Sequence, residues 1–278
     1  ARGFLIGATA GRTTLNGEGL QHQDGHSHIL ASTIPNCISY DPAYSYELAI
    51  IIKEGMRRMY QEMDSVFYYI TTMNENYQQP DMPKGIEGDV IKGMYLLEDG
   101  DSKDFKVSKP INQDDRIRLL GSGTILREAR KAAELLRSEY SVAVDVWSVT
   151  SFNELRREAL NINRENMLNP TKKQKIPFVT QKLSTKRGPV LSVTDYMKIH
   201  SDQIREFVPD VFRVLGTDGF GRSDSREQLR HFFEVDMKFI AAAALFELKS
   251  KGIIDGKTLI AHYKKLGIDK DKANPSYQ

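Results

Sequence analysis

The sequence predicts two α/β domains within a chain of 278 residues. Three observations lead to this fold class: a strand, helix and strand pattern near the N-terminus, a second such series after residue 115, and a segment of different composition between them. Strands that alternate with helices favour a mostly parallel sheet flanked by helices. The length is sufficient for two separate hydrophobic cores.

The first series occupies residues 1–78. The apolar run GFLIGATAG predicts a strand, and a polar loop of Gly, Thr, Asn and His follows it through residue 28. The run IPNCISYDP predicts a second strand that ends at Asp41-Pro42. Apolar residues at helical spacing in AYSYELAIIIKEGMRRMYQEM predict a helix, and the aromatic and β-branched run SVFYYITT predicts a buried strand.

Residues 79–114 are expected to connect the two domains. They are rich in Gly, Pro, Asp and Lys and contain one short apolar run, GMYLL. Such composition is typical of the segments between domains. The sequence therefore predicts a boundary in this segment.

The second domain is expected to span residues 115–278. Strands are predicted at RIRLLGSG, VAVDVWSVTSF, PVLSVTD and VFRVLGTDGFG, and helices at TILREARKAAELLRSEY, SREQLRHFFEV and KFIAAAALFELKSKG. The turn Gly121-Ser122-Gly123-Thr124 is a weak candidate for anion binding; a plain turn with Thr124 as the helix N-cap is favoured. Ser225 is a second N-cap candidate, and Arg222 before it is a possible carboxylate ligand, although a structural turn is favoured there too.

Composition restricts the class of partner. The 39 basic and 37 acidic residues leave a formal charge of +2, and neither sign forms a long block, so the sequence favours neither nucleic acid nor a membrane as a partner. The single Cys37 cannot form an internal disulfide, and no apolar run approaches the roughly 20 residues of a spanning helix. A cytoplasmic protein with a small-molecule or protein partner is expected.

The stretch GEGLQHQDGHSH, residues 17–28, contains three of the six histidines of the chain. Because imidazole titrates near pH 6.5, His22, His26 and His28 are candidates for proton transfer and substrate binding. His22, Asp24 and His26 are alternatively spaced to ligate a divalent metal, as in a metal-dependent hydrolase. A surface loop with structural histidines is the third interpretation. Ligands commonly bind in loops that follow α/β strands, which favours a functional role.

Motifs distributed along the chain resemble the thiamine-diphosphate-dependent transketolase superfamily, and most closely the homodimeric first components of bacterial pyruvate dehydrogenase complexes. The motifs are GRTTLNGEGLQHQDGHSH, IPNCISYDPAYSYELA, YYITTMNENY, LLGSGTILREAR, VWSVTSFNELRRE and FRVLGTDGFGRSDSRE. The resemblance implies that residues 1–78 are the end of a pyrimidine-binding domain and residues 115–278 a transketolase C-terminal-like domain.

The resemblance also implies an activity: an acetyl-transferring pyruvate dehydrogenase, an oxidoreductase that decarboxylates pyruvate and acetylates the lipoyl group of a partner acyltransferase. Thiamine diphosphate and magnesium are the implied cofactors, and a second copy of the subunit is the implied partner. Alternatives within the superfamily are another 2-oxo acid dehydrogenase or a transketolase. The second domain is expected to serve mainly in dimer contacts.

His22 matches the active-centre histidine of the family and ranks first as a catalytic residue. Its implied role is a hydrogen bond to the substrate carboxylate or to a developing oxyanion. A related transketolase loop points instead to His28, which ranks second, with His26 third. The family's Gly-Asp-Gly and Asn signature for magnesium diphosphate is absent from the 278 residues. The chain is therefore expected to be the later part of a longer protein, to hold half of an active site, and to be inactive alone.

Overall fold

A computed structural model describes residues 1–7, 11–102, 105 and 116–278. Among these residues, eight strands lie in two sheets, one of three strands and one of five. The strands are β1 (Phe4–Gly7), β2 (Cys37–Tyr40), β3 (Phe67–Thr71), β4 (Met94–Glu98), β5 (Ile117–Gly121), β6 (Val144–Val149), β7 (Val190–Val193) and β8 (Phe212–Leu215).

Ten α-helices surround the sheets in the described part of the chain. They are α1 (Ser27–Ser32), α2 (Ser45–Met56), α3 (Glu87–Lys92), α4 (Leu126–Tyr140), α5 (Phe152–Leu168), α6 (Phe178–Leu183), α7 (Lys198–Asp202), α8 (Arg226–Phe232), α9 (Met237–Ser250) and α10 (Gly256–Leu266). No helix among the described residues combines the length and the apolar character needed to cross a bilayer.

The first sheet has the strand order β1-β3-β2, and both pairings are parallel. The predicted elements of this region are all present. The predicted long helix becomes α2, which continues into a π-helical turn at Arg57–Gln61. Residues 8–10 of the first predicted strand lie outside the described residues.

The second sheet has the order β4-β6-β5-β7-β8, in which only the pairing of β4 with β6 is antiparallel. Every residue of β5, β6 and β7 is buried, because helices cover both faces of the sheet. One core lies between the sheet and helices α4 and α9, and a second lies between the sheet and helices α5 and α6.

The segment between the two predicted domains contains regular structure. Helix α3 and strand β4 both lie in it, and β4 is the edge strand of the second sheet. Tyr95 of β4 nevertheless packs in the core of the first sheet, and its hydroxyl donates a 2.7 Å hydrogen bond to Glu47 of α2. Strand β4 therefore joins the two sheets as well as connecting them in sequence.

Candidate functional site

The histidine loop, residues 11–28, leads from the first sheet to helix α1. Its start is fixed by Asp195, which follows β7. The Asp195 carboxylate accepts hydrogen bonds from the backbone N–H of Thr13 at 3.1 Å and from its hydroxyl at 2.8 Å, and the Asp195 carbonyl accepts one from the N–H of Arg12. Gly11 has a φ of +80°, and a Cβ there would lie 2.0 Å from the same carboxylate. Only glycine fits this close approach.

Asp195 is fully buried, and burial raises its pKa to about 7, although the nearby Arg230 guanidinium opposes the rise. Its neighbour Arg12 donates a hydrogen bond to the carbonyl of Gly219, in the turn after β8. The start of the loop is therefore bound to the loops that follow two strands of the second sheet.

The middle of the loop forms a 3₁₀ turn, Leu20–His22, against the segment after β8. The side-chain oxygen of Gln23 accepts a 2.7 Å hydrogen bond from the backbone N–H of Arg222. A Cβ on Gly221 would lie only 2.5 Å from the carbonyl oxygen of Leu20, so the two backbones are in direct contact. The N–H of Gly17 donates to the carbonyl of Asp224 at 2.9 Å.

His22 ends this turn with its side chain exposed. In the described part of the chain its ring makes no hydrogen bond, ion pair or ring contact. Leu20 before it and Gln23 after it contact the segment that follows β8, so the backbone of the turn is held on both sides. The imidazole therefore projects outward from a held turn.

His26 and Asp24 have local structural roles. Asp24 accepts hydrogen bonds from the backbone N–H groups of His26 and Ser27, each at 2.9 Å, and so occupies the first free donors of α1. The His26 side chain is exposed. Within residues 1–7, 11–102, 105 and 116–278 no group of three His, Cys, Asp or Glu side chains can hold a metal ion. The structure does not favour the metal-ligand interpretation of His22, Asp24 and His26.

His28 lies in α1 and is buried, with 1% of its surface exposed. Its Nε2 is 2.9 Å from the hydroxyl of Thr71, its ring stacks on His200 with a 5.0 Å separation of centroids, and the Tyr196 ring packs edge-on against it. Burial lowers the pKa of His28 to about 3, so the ring stays neutral at physiological pH. The His28 ring is therefore enclosed and neutral in the described structure.

Family models match both halves of the chain. A model of the pyruvate dehydrogenase E1 component middle domain matches residues 1–80, and a model of the transketolase-like C-terminal domain matches residues 93–236. The chain belongs to the transketolase-like family. This result confirms the predicted fold class.

Curated relatives named pyruvate dehydrogenase E1 component include the Pseudomonas aeruginosa protein, 58% identical over 276 residues, and the Escherichia coli K12 protein, 54% identical over 277 residues. Each alignment covers 99% of this chain and 30% of the relative, so the chain spans about a third of the length of these proteins. The resemblance inferred from the motifs is confirmed.

Solved transketolases share the fold at low identity. The Campylobacter jejuni enzyme has a TM-score of 0.60 at 16% identity and covers 87% of this chain and 31% of its own. A Pichia stipitis transketolase has a TM-score of 0.59 at 17% identity and covers 98% and 32%. These matches support the transketolase-like arrangement of strands and helices.

The structure corrects one cap prediction in this transketolase-like chain. Thr124 is not the N-cap of α4, which follows a 3₁₀ turn, Gly123–Ile125. Its hydroxyl instead donates a 3.0 Å hydrogen bond to Glu75. A Cβ on Gly123 would lie 2.6 Å from the Asp41 carboxylate. The turn therefore faces two carboxylates, which is unfavourable for an anion site.

The predictions for the turn before α8 concern Ser225 and Arg222. Ser225 is the N-cap of α8, since its hydroxyl accepts a hydrogen bond from the N–H of Gln228. The guanidinium of Arg222 lies over the Phe232 ring, 4.9 Å from its centroid, and no ion pair with a described carboxylate is formed. The structural interpretation of this turn agrees with these contacts.

Asp41 and Asp195, two buried carboxylates beside the histidine loop, were not predicted from the sequence. Asp41 follows β2, accepts a 2.7 Å hydrogen bond from Thr71, and has its pKa raised to about 6 by burial. Asp195 likewise lies at the carboxyl end of its strand, two residues after β7. An acidic residue within two positions after a buried strand could have indicated both residues, because the carboxyl ends of parallel strands are where α/β folds form their sites.

Glu75 joins the first sheet to helices α4 and α8. It forms ion pairs with Arg230 and, at 2.5 Å, with Arg127. Burial opposes ionisation of Glu75, but the two guanidinium groups lower its pKa to about 2. The Glu75 carboxylate thus stays charged. Its partner Arg230 also donates a hydrogen bond to the hydroxyl of Thr13, so Glu75 is linked through Arg230 to the start of the histidine loop.

Proposed function

We propose that the chain is part of a thiamine-diphosphate-dependent pyruvate dehydrogenase, which decarboxylates pyruvate and transfers the acetyl group to a lipoyl acceptor. The relatives that carry the pyruvate dehydrogenase E1 name at 58% and 54% identity support this activity. The observation on which the site depends is the exposed imidazole of His22 on a loop whose backbone is bound on both sides.

His22 is the residue proposed to act on the substrate. An exposed imidazole can donate a hydrogen bond to the carboxylate of a 2-oxo acid or to an oxygen that gains charge during the reaction. His28 is less favoured for this role, because its ring is enclosed by Thr71, His200 and Tyr196. His26 stays a weaker candidate, since it is exposed on the same loop.

The Gly-Asp-Gly and Asn signature of a magnesium diphosphate site is absent from the 278 residues, and the described residues contain no cluster of three metal-ligating side chains. Other parts of the enzyme are therefore proposed to hold thiamine diphosphate and magnesium. Thiamine diphosphate supplies the carbon nucleophile and the electron sink of such decarboxylations when it is bound. The contribution of this chain is the placed hydrogen-bond donor.

The remaining parts of the proposal concern assembly. We propose a homodimer that works with a lipoyl acyltransferase in the cytoplasm, with residues 1–78 and 115–278 as separate domains joined by residues 79–114. Residues 1–278 alone are proposed to be inactive. The names of the relatives support a complex. The two sheets agree with two domains, but β4 of the second sheet lies within the proposed joining segment.

The direct test is an assay of substrate use by the full-length protein. With thiamine diphosphate and magnesium present, we expect release of carbon dioxide from pyruvate and acetylation of a lipoyl acceptor. Residues 1–278 alone should give neither product. Turnover of a ketose phosphate without turnover of pyruvate would contradict the proposed substrate.

A further inference from the structure

Two loops of the second sheet contact the histidine loop: residues 195–197 after β7 and residues 216–226 after β8. We refer to these two loops together as the cradle. We propose that the cradle sets the position of the His22 imidazole, and that Gln23 and Gly221 are the positioning residues. This inference rests on the proposed role of His22.

The cradle holds the histidine loop along its whole length. At the start, Thr13 bonds to Asp195 through both its backbone N–H and its hydroxyl. Near the end, the N–H of Met197 donates a 3.1 Å hydrogen bond to the carbonyl of Gly25. These contacts join positions more than 170 residues apart in sequence, such as Thr13 and Asp195, which are separated by 182. Local sequence therefore does not set the course of the loop.

Gln23 connects the turn that bears His22 directly to the cradle. Its side chain is 7% exposed, and its oxygen is the acceptor for the backbone N–H of Arg222. Its own backbone N–H closes the 3₁₀ turn by donating to Leu20. Replacing the acceptor with an apolar group would leave the N–H of Arg222 without this partner, and unpaired buried donors are costly. The turn would then move away from the cradle.

Gly221 provides the close contact on the other side of the same turn. A Cβ at this position would lie 2.5 Å from the Leu20 oxygen and 3.1 Å from the Cβ of Gln23. The φ of Gly221 lies outside the left-handed region, so alanine is compatible with its backbone conformation. The effect of Gly221→Ala would therefore be displacement of the turn, and His22 with it.

Gly256 offers a matched control for this substitution. It lies at the start of α10, its φ is also outside the left-handed region, and a Cβ there would meet no atom within 4 Å. Gly256→Ala makes the same chemical change without a contact to the histidine loop. Gln23→Glu is the matched control at the other position, because it keeps an acceptor oxygen where Gln23→Leu removes it.

The experiment measures kcat and KM for pyruvate in the full-length enzyme, with His22→Ala as the reference variant. Because small misplacements of a catalytic group cost up to about 100-fold, we expect Gln23→Leu and Gly221→Ala to lower kcat about 10- to 100-fold with KM for pyruvate little changed. Gln23→Glu should restore most of the lost activity, and Gly256→Ala should match the parent. Hydrogen exchange of residues 17–28 should increase only in the two damaging variants.

A double-mutant cycle separates positioning from general damage. If Gln23 acts through His22, adding Gln23→Leu to His22→Ala should lower kcat no further. If the double mutant instead loses kcat by the product of the two single losses, the positioning role of Gln23 is overturned and the role of His22 is unaffected. If His22→Ala alone has parental activity, the proposed function of His22 fails, whatever the positioning variants show.

Discussion

His22 and His28 lie on one loop, six positions apart, in opposite environments. The His22 ring is exposed and unbonded in the described structure, whereas His28 is 1% exposed and packed against His200 and Tyr196. The loop therefore has one end with an exposed imidazole and one end with a packed imidazole. The comparison teaches that histidines that are close in sequence can lie in opposite environments.

The largest expected effect concerns the exposed end. His22→Ala in the full-length enzyme should lower kcat for pyruvate by about 10²- to 10⁴-fold, the usual contribution of a placed donor or acid. Affinity for thiamine diphosphate, measured by calorimetry, should change little, because the proposed hydrogen bond of His22 is made to the substrate and not to the cofactor. An unchanged kcat, with a loss in His26→Ala instead, would transfer the role to His26.

The buried end should respond in stability. His28→Ala removes a packed ring and its hydrogen bond to Thr71, so the free energy of unfolding should fall by ~3–4 kcal/mol. Urea denaturation measures this change. His26→Ala is the control, with an expected change within about 0.5 kcal/mol because its ring is exposed. Equal effects of the two substitutions would remove the distinction between the ends of the loop.

The third prediction concerns the anchor of the loop at Asp195. Its folded pKa of about 7 exceeds the ordinary value of 3.8, so the folded state holds a proton that the unfolded state releases. The resulting stability is fully present below the ordinary value and is lost as pH rises through the folded value. Relative to Asp195→Asn, the parent should therefore lose on the order of 3–4 kcal/mol between about pH 4 and pH 8.

Comparison of the two proteins across pH reports on Asp195 and on its coupling to Asp41, whose charge adds to the rise in the pKa of Asp195. His28 also titrates with a lowered pKa, but it is present in both proteins and is not among the groups that shift Asp195, so its contribution cancels in the difference. Denaturation curves collected at several pH values give the difference directly. A constant gap between parent and variant would show that Asp195 is ionised in the folded protein.

The smallest expected effect lies at the cradle. Ser225→Ala removes the N-cap of α8, the helix that follows Gly221 and Arg222, and should cost about 1 kcal/mol. Ser223→Ala, an exposed change two residues earlier, is the control. Amide exchange should rise at the start of α8 while the surroundings of His28 stay unchanged. Similar losses in both variants would contradict the cap.

Most of the fold was predictable from local patterns. Buried strands such as β6 and β7 have continuous apolar and β-branched runs, and helix α4 has apolar residues at helical spacing, so each pattern indicates its element directly. Helix α5 was not predicted, although Phe152, Leu155, Ala159 and Ile162 follow helical spacing. Strand β4 was assigned to a connecting segment, since its pairing with β6 depends on residues distant in sequence.

The site was predictable only in part. The loop and its histidines were identified from composition and from family motifs, but the anchors Asp41, Asp195 and Glu75 were not. Each anchor depends on a partner from another element: Thr71 for Asp41, Thr13 for Asp195 and Arg230 for Glu75. Contacts between residues so distant in sequence leave no periodic pattern of apolar and polar residues that could predict them.

The sequence by itself determined the α/β class, most of the strands with their mostly parallel order, helices α2, α4, α8 and α9, and the position of the histidine loop after the first strand. Only the tertiary structure decided that His22 and His26 face outward while His28 is buried. The physical reason is that burial of a residue depends on what packs against it, and the rings that pack against His28 include those of Tyr196 and His200, which lie far along the chain.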